Sequence, residues 1–350
     1  MPRQAFKQLG KKLKIRKFCF RMPKLDSLIN VFKQFLDMQI KRLDLKLGFR
    51  CNNNCLSCPQ AHRRHLGDLS TAQVKRLLEE GRLHGANEVV LTGGEPTVRP
   101  DILEIVSYAK NLGYDFIQLQ TNGRMLYYKD FCEKLVKAGV TEFSPAIHGP
   151  NAKVHDYLVQ SPHAFEQAVQ GIKNLKELGQ YIIMNSVINK INYAMLPETA
   201  ELFVNLNVDQ YQFAFIHCVG NAKKNIDLLL PRKSDVMPYV HKALDIGIDA
   251  GIKVMVEAYP FCFMRGYEKY CSELYMPPSE IMDAEGVVEN FDKLRKESGK
   301  LKGPQCKRCR FDPICEGPWK EYPEKFGWSE FKPVPGPKVK SMEDLGVEKS

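Results

Sequence analysis

From Arg42 onward, short apolar runs alternate with stretches of helical periodicity. The runs are RLDLKLGF, EVVLTG, DFIQLQTNG, TEFSPAIHG, YIIMNSVIN and VDQYQFAFIH. Strands separated by helices must each be reached by a crossover, so the pattern predicts parallel strands with helical connections. The helical stretches carry their own signals. Phe165, Ala168, Val169, Ile172, Leu175 and Leu178 fall on one helical face, and Ser70 with Gln73 has the form of a capping box. Six such units suit an α/β fold of the partial (βα)6 barrel kind.

Successive side chains in a strand point to opposite faces. In the third run Ile117 and Leu119 therefore oppose Gln118, Gln120 and Asn122; in the fourth, Phe143 and Ile147 oppose Glu142, Ser144 and His148. The sixth repeats the division, with Tyr211, Phe213 and Phe215 against Gln210 and Gln212. One face of the sheet is expected to pack helices and the other to line a polar chamber. Sites in βα barrels form at the strand C-terminal ends, which would bring Glu95, Asn122, His148 and Asn189 near one another.

Directly after the first run comes CNNNCLSC, with Cys51, Cys55 and Cys58 in C-x3-C-x2-C spacing. Three thiolates on one loop can bond three irons of a cubane and leave the fourth open, whereas a closed zinc site needs a fourth ligand. Taken alone the spacing leaves both metals open. The second run ends in Leu91-Thr92-Gly93-Gly94-Glu95-Pro96, where two glycines allow close backbone approach to a ligand and a carboxylate is available for a cationic amine. An ordinary βα turn is the alternative.

Together the two motifs, at their places after the first and second strands, resemble those of the radical S-adenosylmethionine superfamily. The resemblance implies a partial barrel from about Arg42 to Ile216, a [4Fe-4S] cluster on Cys51, Cys55 and Cys58, and contact of Gly93, Gly94 and Glu95 with the amino group of S-adenosylmethionine. It implies an enzyme that cleaves this cosubstrate reductively, generates a 5'-deoxyadenosyl radical and abstracts hydrogen from a substrate. One departure is Ser57, where the family usually has an aromatic residue before the third cysteine. Asn122 and Ser144 are candidate ribose contacts, and Asn189 a candidate adenosyl contact, with turn chemistry as the alternative.

A second cysteine group, Cys306, Cys309 and Cys315 in QCKRCRFDPIC, fits a zinc knuckle by spacing alone. The resemblance favours a second [4Fe-4S] cluster in a SPASM- or twitch-like extension. Cys262, after the strand-like KVMVEAYP, is preferred as fourth ligand and Cys271 is held in reserve. Trp319 stands where the full SPASM pattern has a further cysteine, so one auxiliary cluster is expected. Relatives of this branch commonly carry a serine and an aspartate where this chain has Ala146 and His148. His148 is accordingly the candidate catalytic residue, a substrate hydrogen-bond partner or proton relay, against the alternative of a histidine satisfied within a polar chamber.

The expected organisation is a basic arm and helix over 1–40, the barrel over 41–230, a cysteine-rich domain over 231–335 and a disordered tail over 336–350. Eleven cysteines, an odd number and clustered, favour metal ligation over a disulfide framework. No apolar run approaches the roughly 18 residues of a membrane span and no secretory h-region opens the chain, so a cytoplasmic location is expected. The net charge of +10 suits an acidic electron donor such as flavodoxin or ferredoxin. The expected substrate is a peptide or protein undergoing maturation, or alternatively a small metabolite or cofactor precursor; nucleic acid is not expected.

Overall fold

The alternation becomes a curved parallel sheet in the computed structural model, which describes residues 40–346. The expected basic arm, apart from Ile40, lies outside the described residues. All six expected strands form: β1 (Arg42–Lys46), β2 (Glu88–Thr92), β3 (Phe116–Thr121), β4 (Glu142–Pro145), β5 (Tyr181–Ile188) and β6 (Gln210–Phe215). Between them run α1 (Thr71–Leu83), α2 (Ile102–Asn111), α3 (Lys129–Ala138), α4 (Ala152–Val159), α5 (Ala164–Glu177) and α6 (Leu196–Asn205). Ser70 and Gln73 make the full capping box of α1.

Strand parity divides the residues as anticipated. Leu43, Leu45, Ile117, Leu119, Phe143, Tyr211 and Phe213 are buried in the core, each large aliphatic among them contributing roughly 1.5–3 kcal/mol of transfer free energy. Gln118, Gln120, Ser144, Gln210 and Gln212 line a cavity instead. That cavity also takes side chains from β1 and β5, so the sheet curls around a lumen.

The sheet continues beyond the expected boundary at residue 230. Helix α7 (Lys233–Asp249) leads to β7 (Lys253–Glu257), which pairs parallel to β6. Further on, β8 (Ser279–Asp283) pairs parallel to β1 and antiparallel to β9 (Gly286–Val288). The order is β7-β6-β5-β4-β3-β2-β1-β8-β9, an open barrel with β7 and β9 at its edges. Pro238 lies inside α7, where it removes one backbone donor without ending the helix.

The cysteine-rich segment is fastened to the barrel by aromatic packing. Phe215 at the end of β6 meets Tyr259 and Tyr322, and Tyr322 meets Phe331. At the centre is Lys233, fully buried, whose Nζ donates to the Ala258 carbonyl at 2.9 Å and lies 3.1 Å from the Phe215 ring centroid. Burial pushes its ammonium well below the usual lysine range, and the carbonyl and ring faces are what offset the cost. Residues 336–346 are ordered in contrast to expectation. Lys338 Nζ donates to the carbonyls of Lys307 and Cys309 at 2.7 Å each, and Val339 N to Arg310 O at 2.9 Å.

Docking of β8 has a titratable component. The Glu280 side chain is buried and accepts from His84 Nδ1 at 2.9 Å; this hydrogen bond raises the His84 pKa, burial opposing it. The raised value means the contribution is complete below the unfolded value of about 6.5 and is lost as pH rises through the folded one. The thermal midpoint is expected to fall between pH 6.5 and pH 8 by more in the wild type than in His84→Gln, measured by circular dichroism; parallel pH profiles would contradict the assignment.

Candidate functional site

β1 and β2 pair in register from Arg42 with Glu88 to Lys46 with Thr92, so the cysteine loop and the glycine turn leave the sheet side by side. Cys51, Cys55 and Cys58 are free and half-buried. The loop is held on several sides. Asn54 N and Leu56 N donate to Val159 O and Leu158 O at the end of α4, and Asn221 N to Cys58 O at 2.9 Å. Arg124 Nη1 donates to Asn52 O at 2.7 Å, Arg64 Nη2 to Asn53 O at 2.7 Å and Asn221 Nδ2 to Cys55 O at 3.0 Å. Burial pushes the Cys55 thiol up to about 12, with Cys58 and Cys51 adding to the effect.

The glycines open space for the chain itself. A Cβ at Gly94 would stand 2.0 Å from the Arg50 carbonyl oxygen, and one at Gly93, where φ is +123°, 2.3 Å from Gly48 O. Gly94 N donates to Gly48 O at 2.8 Å and Glu95 N to Arg50 O at 2.7 Å. Close backbone approach was expected toward a ligand; what the glycines approach is the segment that enters the cysteine loop. Glu95 also departs from expectation. Its carboxylate is buried, accepting from Thr97 N at 3.0 Å, Thr121 Oγ1 at 2.6 Å, Asn122 N at 2.6 Å and the Thr97 hydroxyl. Burial raises its pKa and these donors oppose the rise. A carboxylate with four donors is a brace between the ends of β2 and β3, and the turn's remaining offering to a ligand is backbone.

Asn122 reaches the site from β3. Its Nδ2 donates to Asn52 Oδ1 at 2.6 Å and lies 3.9 Å from Cys51 Sγ, so it touches the cysteine loop directly. Ser144 lines the lumen, one strand from Gln120, its register partner. Asn189 is taken up in its own turn: it is 1% exposed, its Oδ1 accepts from Ile191 N at 3.0 Å and its Nδ2 donates to Val187 O at 3.1 Å. These are the contacts of the turn alternative. His148 is buried, stacked on His155, and its Nδ1 accepts from Val187 N at 3.1 Å. Burial, with His155 beside it, lowers its pKa to about 3. With Nδ1 accepting from a backbone N–H, the neutral ring carries its proton on Nε2 and can donate from there.

Glu257 shares a strand face with Lys253 and Met255, which by parity points either to the chamber or to the surface. It lines the lumen at the end of β7, where Gln212 Nε2 donates to it at 2.6 Å. The lumen has a volume of about 420 Å³.

At the other end of the chain, Cys262, Cys306, Cys309 and Cys315 line one small pocket walled by Phe331 and Pro333. Burial raises the Cys262 pKa, and Cys315, Cys309 and Cys306 each add to it. Cys271 is 1% exposed, bridged to Val256 and outside that pocket. Cys262 thus shares the pocket with the three later cysteines. Gly317, with φ of +82°, passes so close to Leu301 that a Cβ would lie 1.9 Å from its carbonyl oxygen.

The Radical SAM superfamily profile matches residues 45–203, the stretch that carries both motifs. Residues 45–203 belong to that superfamily. An AdoMet-dependent heme synthase of Methanosarcina barkeri is 33% identical over 177 residues, 50% of this chain and 50% of that protein. A probable GTP 3',8-cyclase of Saccharolobus solfataricus is 32% identical over 188 residues, 53% of this chain and 59% of its own length. The chain thus spans about half the length of these curated relatives. Among solved structures, SuiB of Streptococcus suis bound to S-adenosylmethionine covers 79% of this chain and 66% of its own with a TM-score of 0.60 at 17% identity, a likeness of fold. The anSMEcpe structure with bound AdoMet covers 61% and 63% with a TM-score of 0.51 at 16% identity.

Superfamily membership implies a [4Fe-4S] cluster and S-adenosylmethionine, and the donor set fits. Among the described residues, no group of three or more His, Cys, Asp or Glu side chains is disposed to hold a single metal ion. A cubane bonds each thiolate to a different iron, so three free thiols on one loop can hold three irons and leave the fourth open. No helix of the described residues is long and apolar enough to cross a membrane.

The contact of the radical SAM glycine turn on the cysteine loop is testable. Gly94→Ala is expected to displace the loop and lower reconstituted iron by about four per chain, with a cooperative thermal transition retained. Full iron content in this variant would show that the contact does not set the loop.

Proposed function

We propose that this protein is a radical SAM enzyme in which Cys51, Cys55 and Cys58 hold the [4Fe-4S] cluster that binds S-adenosylmethionine, and that its substrate reacts at the lumen of the barrel. The observation that carries the reading is the convergence of the cysteine loop, the Gly93-Gly94 turn and Asn122 at the C-terminal ends of β1, β2 and β3. Reduced cluster and cosubstrate together supply a 5'-deoxyadenosyl radical that takes hydrogen from the substrate.

The chain's own contribution is placement. Three thiolates bond three irons and leave one open for the cosubstrate. The backbone at Gly93 and Gly94 receives its amino group, while Glu95 braces that turn against Asn122. Asn122 and Ser144 supply polar contacts to the ribose, and His148 donates through Nε2–H. The lumen holds the substrate and limits water around a reactive species.

In the C-terminal segment, Cys262, Cys306, Cys309 and Cys315 hold a second, fully coordinated [4Fe-4S] cluster of SPASM or twitch type. Bound there, it would offer an electron acceptor or an anchor for the segment. The electron donor is a small acidic redox protein of the flavodoxin or ferredoxin kind, complementary to a chain of net charge +10. Peptide or protein maturation remains the first substrate reading, supported by the cysteine-rich extension. Modification of a cofactor precursor is the second, supported by relatives named heme synthase and GTP cyclase.

Anaerobic reconstitution tests the reading. The wild type is expected to bind about eight irons and to release 5'-deoxyadenosine on reduction with S-adenosylmethionine; the Cys51→Ala, Cys55→Ala, Cys58→Ala triple variant binds about four and releases none. Unchanged iron in the triple variant would overturn the ligand assignment. Cys262→Ala should lose the second cluster, whereas Cys271→Ala should keep it, with visible absorption and iron content as readouts.

A further inference from the structure

The proposed reaction chamber has a charge character of its own. Asp44, Glu142 and Glu257 face the lumen, as do Arg42, Lys253 and Arg295. The bases are engaged or peripheral. Arg42 pairs with Glu88 at 2.8 Å, and Arg295 is gripped by both oxygens of Glu316 at 2.7 Å and by Asp292 at 2.9 Å. Lys253 is the exposed first residue of β7. Lys46 stands off Asp44 at 3.5 Å.

Two of the carboxylates are differently placed. Glu142 on β4 accepts from Gln118 Nε2 at 3.0 Å, and Glu257 on β7 accepts from Gln212 Nε2 at 2.6 Å. Each is thus bonded to a neutral amide on the adjoining strand and keeps acceptor directions free, since a carboxylate offers about four. Between them on β5, Asn185 Oδ1 is buried without a hydrogen-bond partner among the described residues. A chain of net charge +10 therefore encloses a lumen rich in acceptors and poor in free cations.

We propose that the lumen recognises cationic nitrogens of its substrate, amine or guanidinium groups, at two places, Glu142 near the start of β4 and Glu257 at the end of β7, with Asn185 as a further acceptor between them. This rests on the reading of the barrel as the reaction chamber. A polyanion such as a nucleoside triphosphate would meet carboxylates with no free guanidinium to receive it, and a macrocycle with wide apolar faces would leave the amide lining unpaired. The electrostatics of Glu257 agree. Burial pushes its carboxyl up to about 7, Glu273 and Glu316 adding while Lys300 and Arg295 oppose; a cation seated beside it would draw it back toward the ionised form.

Isothermal titration calorimetry of the reconstituted full chain with S-adenosylmethionine present tests this, using agmatine and 1,5-diaminopentane as cationic probes, 1,5-pentanediol as the neutral isostere and GTP as the anion. The amines are expected to bind at least tenfold more tightly than the diol or GTP, and Glu142→Gln and Glu257→Gln should each weaken amine binding at least fivefold. Amine affinity no greater than that of the diol or GTP, or full affinity in both variants, overturns the proposal. Thermal unfolding checks that each variant is folded, and either variant alone suffices. Release of 5'-deoxyadenosine by the same wild-type preparation reports on the radical reading separately, so that its presence without amine binding rejects the lumen assignment alone.

Discussion

The site depends on one backbone-to-backbone contact. The turn after β2 lies against residues 48–50 so closely that neither Gly93 nor Gly94 has room for a Cβ, and two hydrogen bonds, Gly94 N to Gly48 O and Glu95 N to Arg50 O, join the segments. A contact of this kind fixes where Cys51 begins. Glu95 carries the constraint onward to the third strand through Asn122 N, and the Asn122 side chain returns to the cysteine loop at Asn52. Three strand ends are thereby tied together before any ligand arrives, which is the preorganisation that controlled radical chemistry requires.

The parts of the structure legible in the sequence are those in which local pattern and tertiary environment agree. Period-two alternation placed all six strands and separated Ile117 and Leu119 from Gln118 and Gln120, because one face packs helices and the other meets the lumen. Asn189 and Glu95 show where pattern falls short. Position at a strand end says that a polar side chain is near the site, yet whether it faces a ligand or its own turn depends on hydrogen bonds that spacing does not encode. β7 and β8 were hidden differently. They are short, flanked by prolines, and gain their definition from pairing with β6 and β1 across long sequence separations. Glu257 was undecided between chamber and surface for the same reason, since that pairing places its strand in the barrel.

The C-terminal segment is integral to the barrel, covering its end with aromatic side chains around Lys233 and supplying β7 to one side of the sheet and β8 and β9 to the other. A buried ionic group joins its cysteines to the lumen. Glu316, next to Cys315, receives Arg295 and Lys300, Lys300 also reaches Glu273 at 2.7 Å, and Arg295 borders the lumen. Such networks add little net stability compared with apolar packing, but removing one member strands the others without partners. Their consequence here is geometric, holding the second cysteine site in fixed relation to the chamber.

The central claim is that Cys51, Cys55 and Cys58 hold a cluster with one iron open to S-adenosylmethionine. Electron paramagnetic resonance of the reduced, reconstituted protein, recorded with and without S-adenosylmethionine, addresses it directly. The account predicts that the signal abolished by replacing these three cysteines is the signal that changes when S-adenosylmethionine is added. A signal from this loop that is indifferent to S-adenosylmethionine would contradict it.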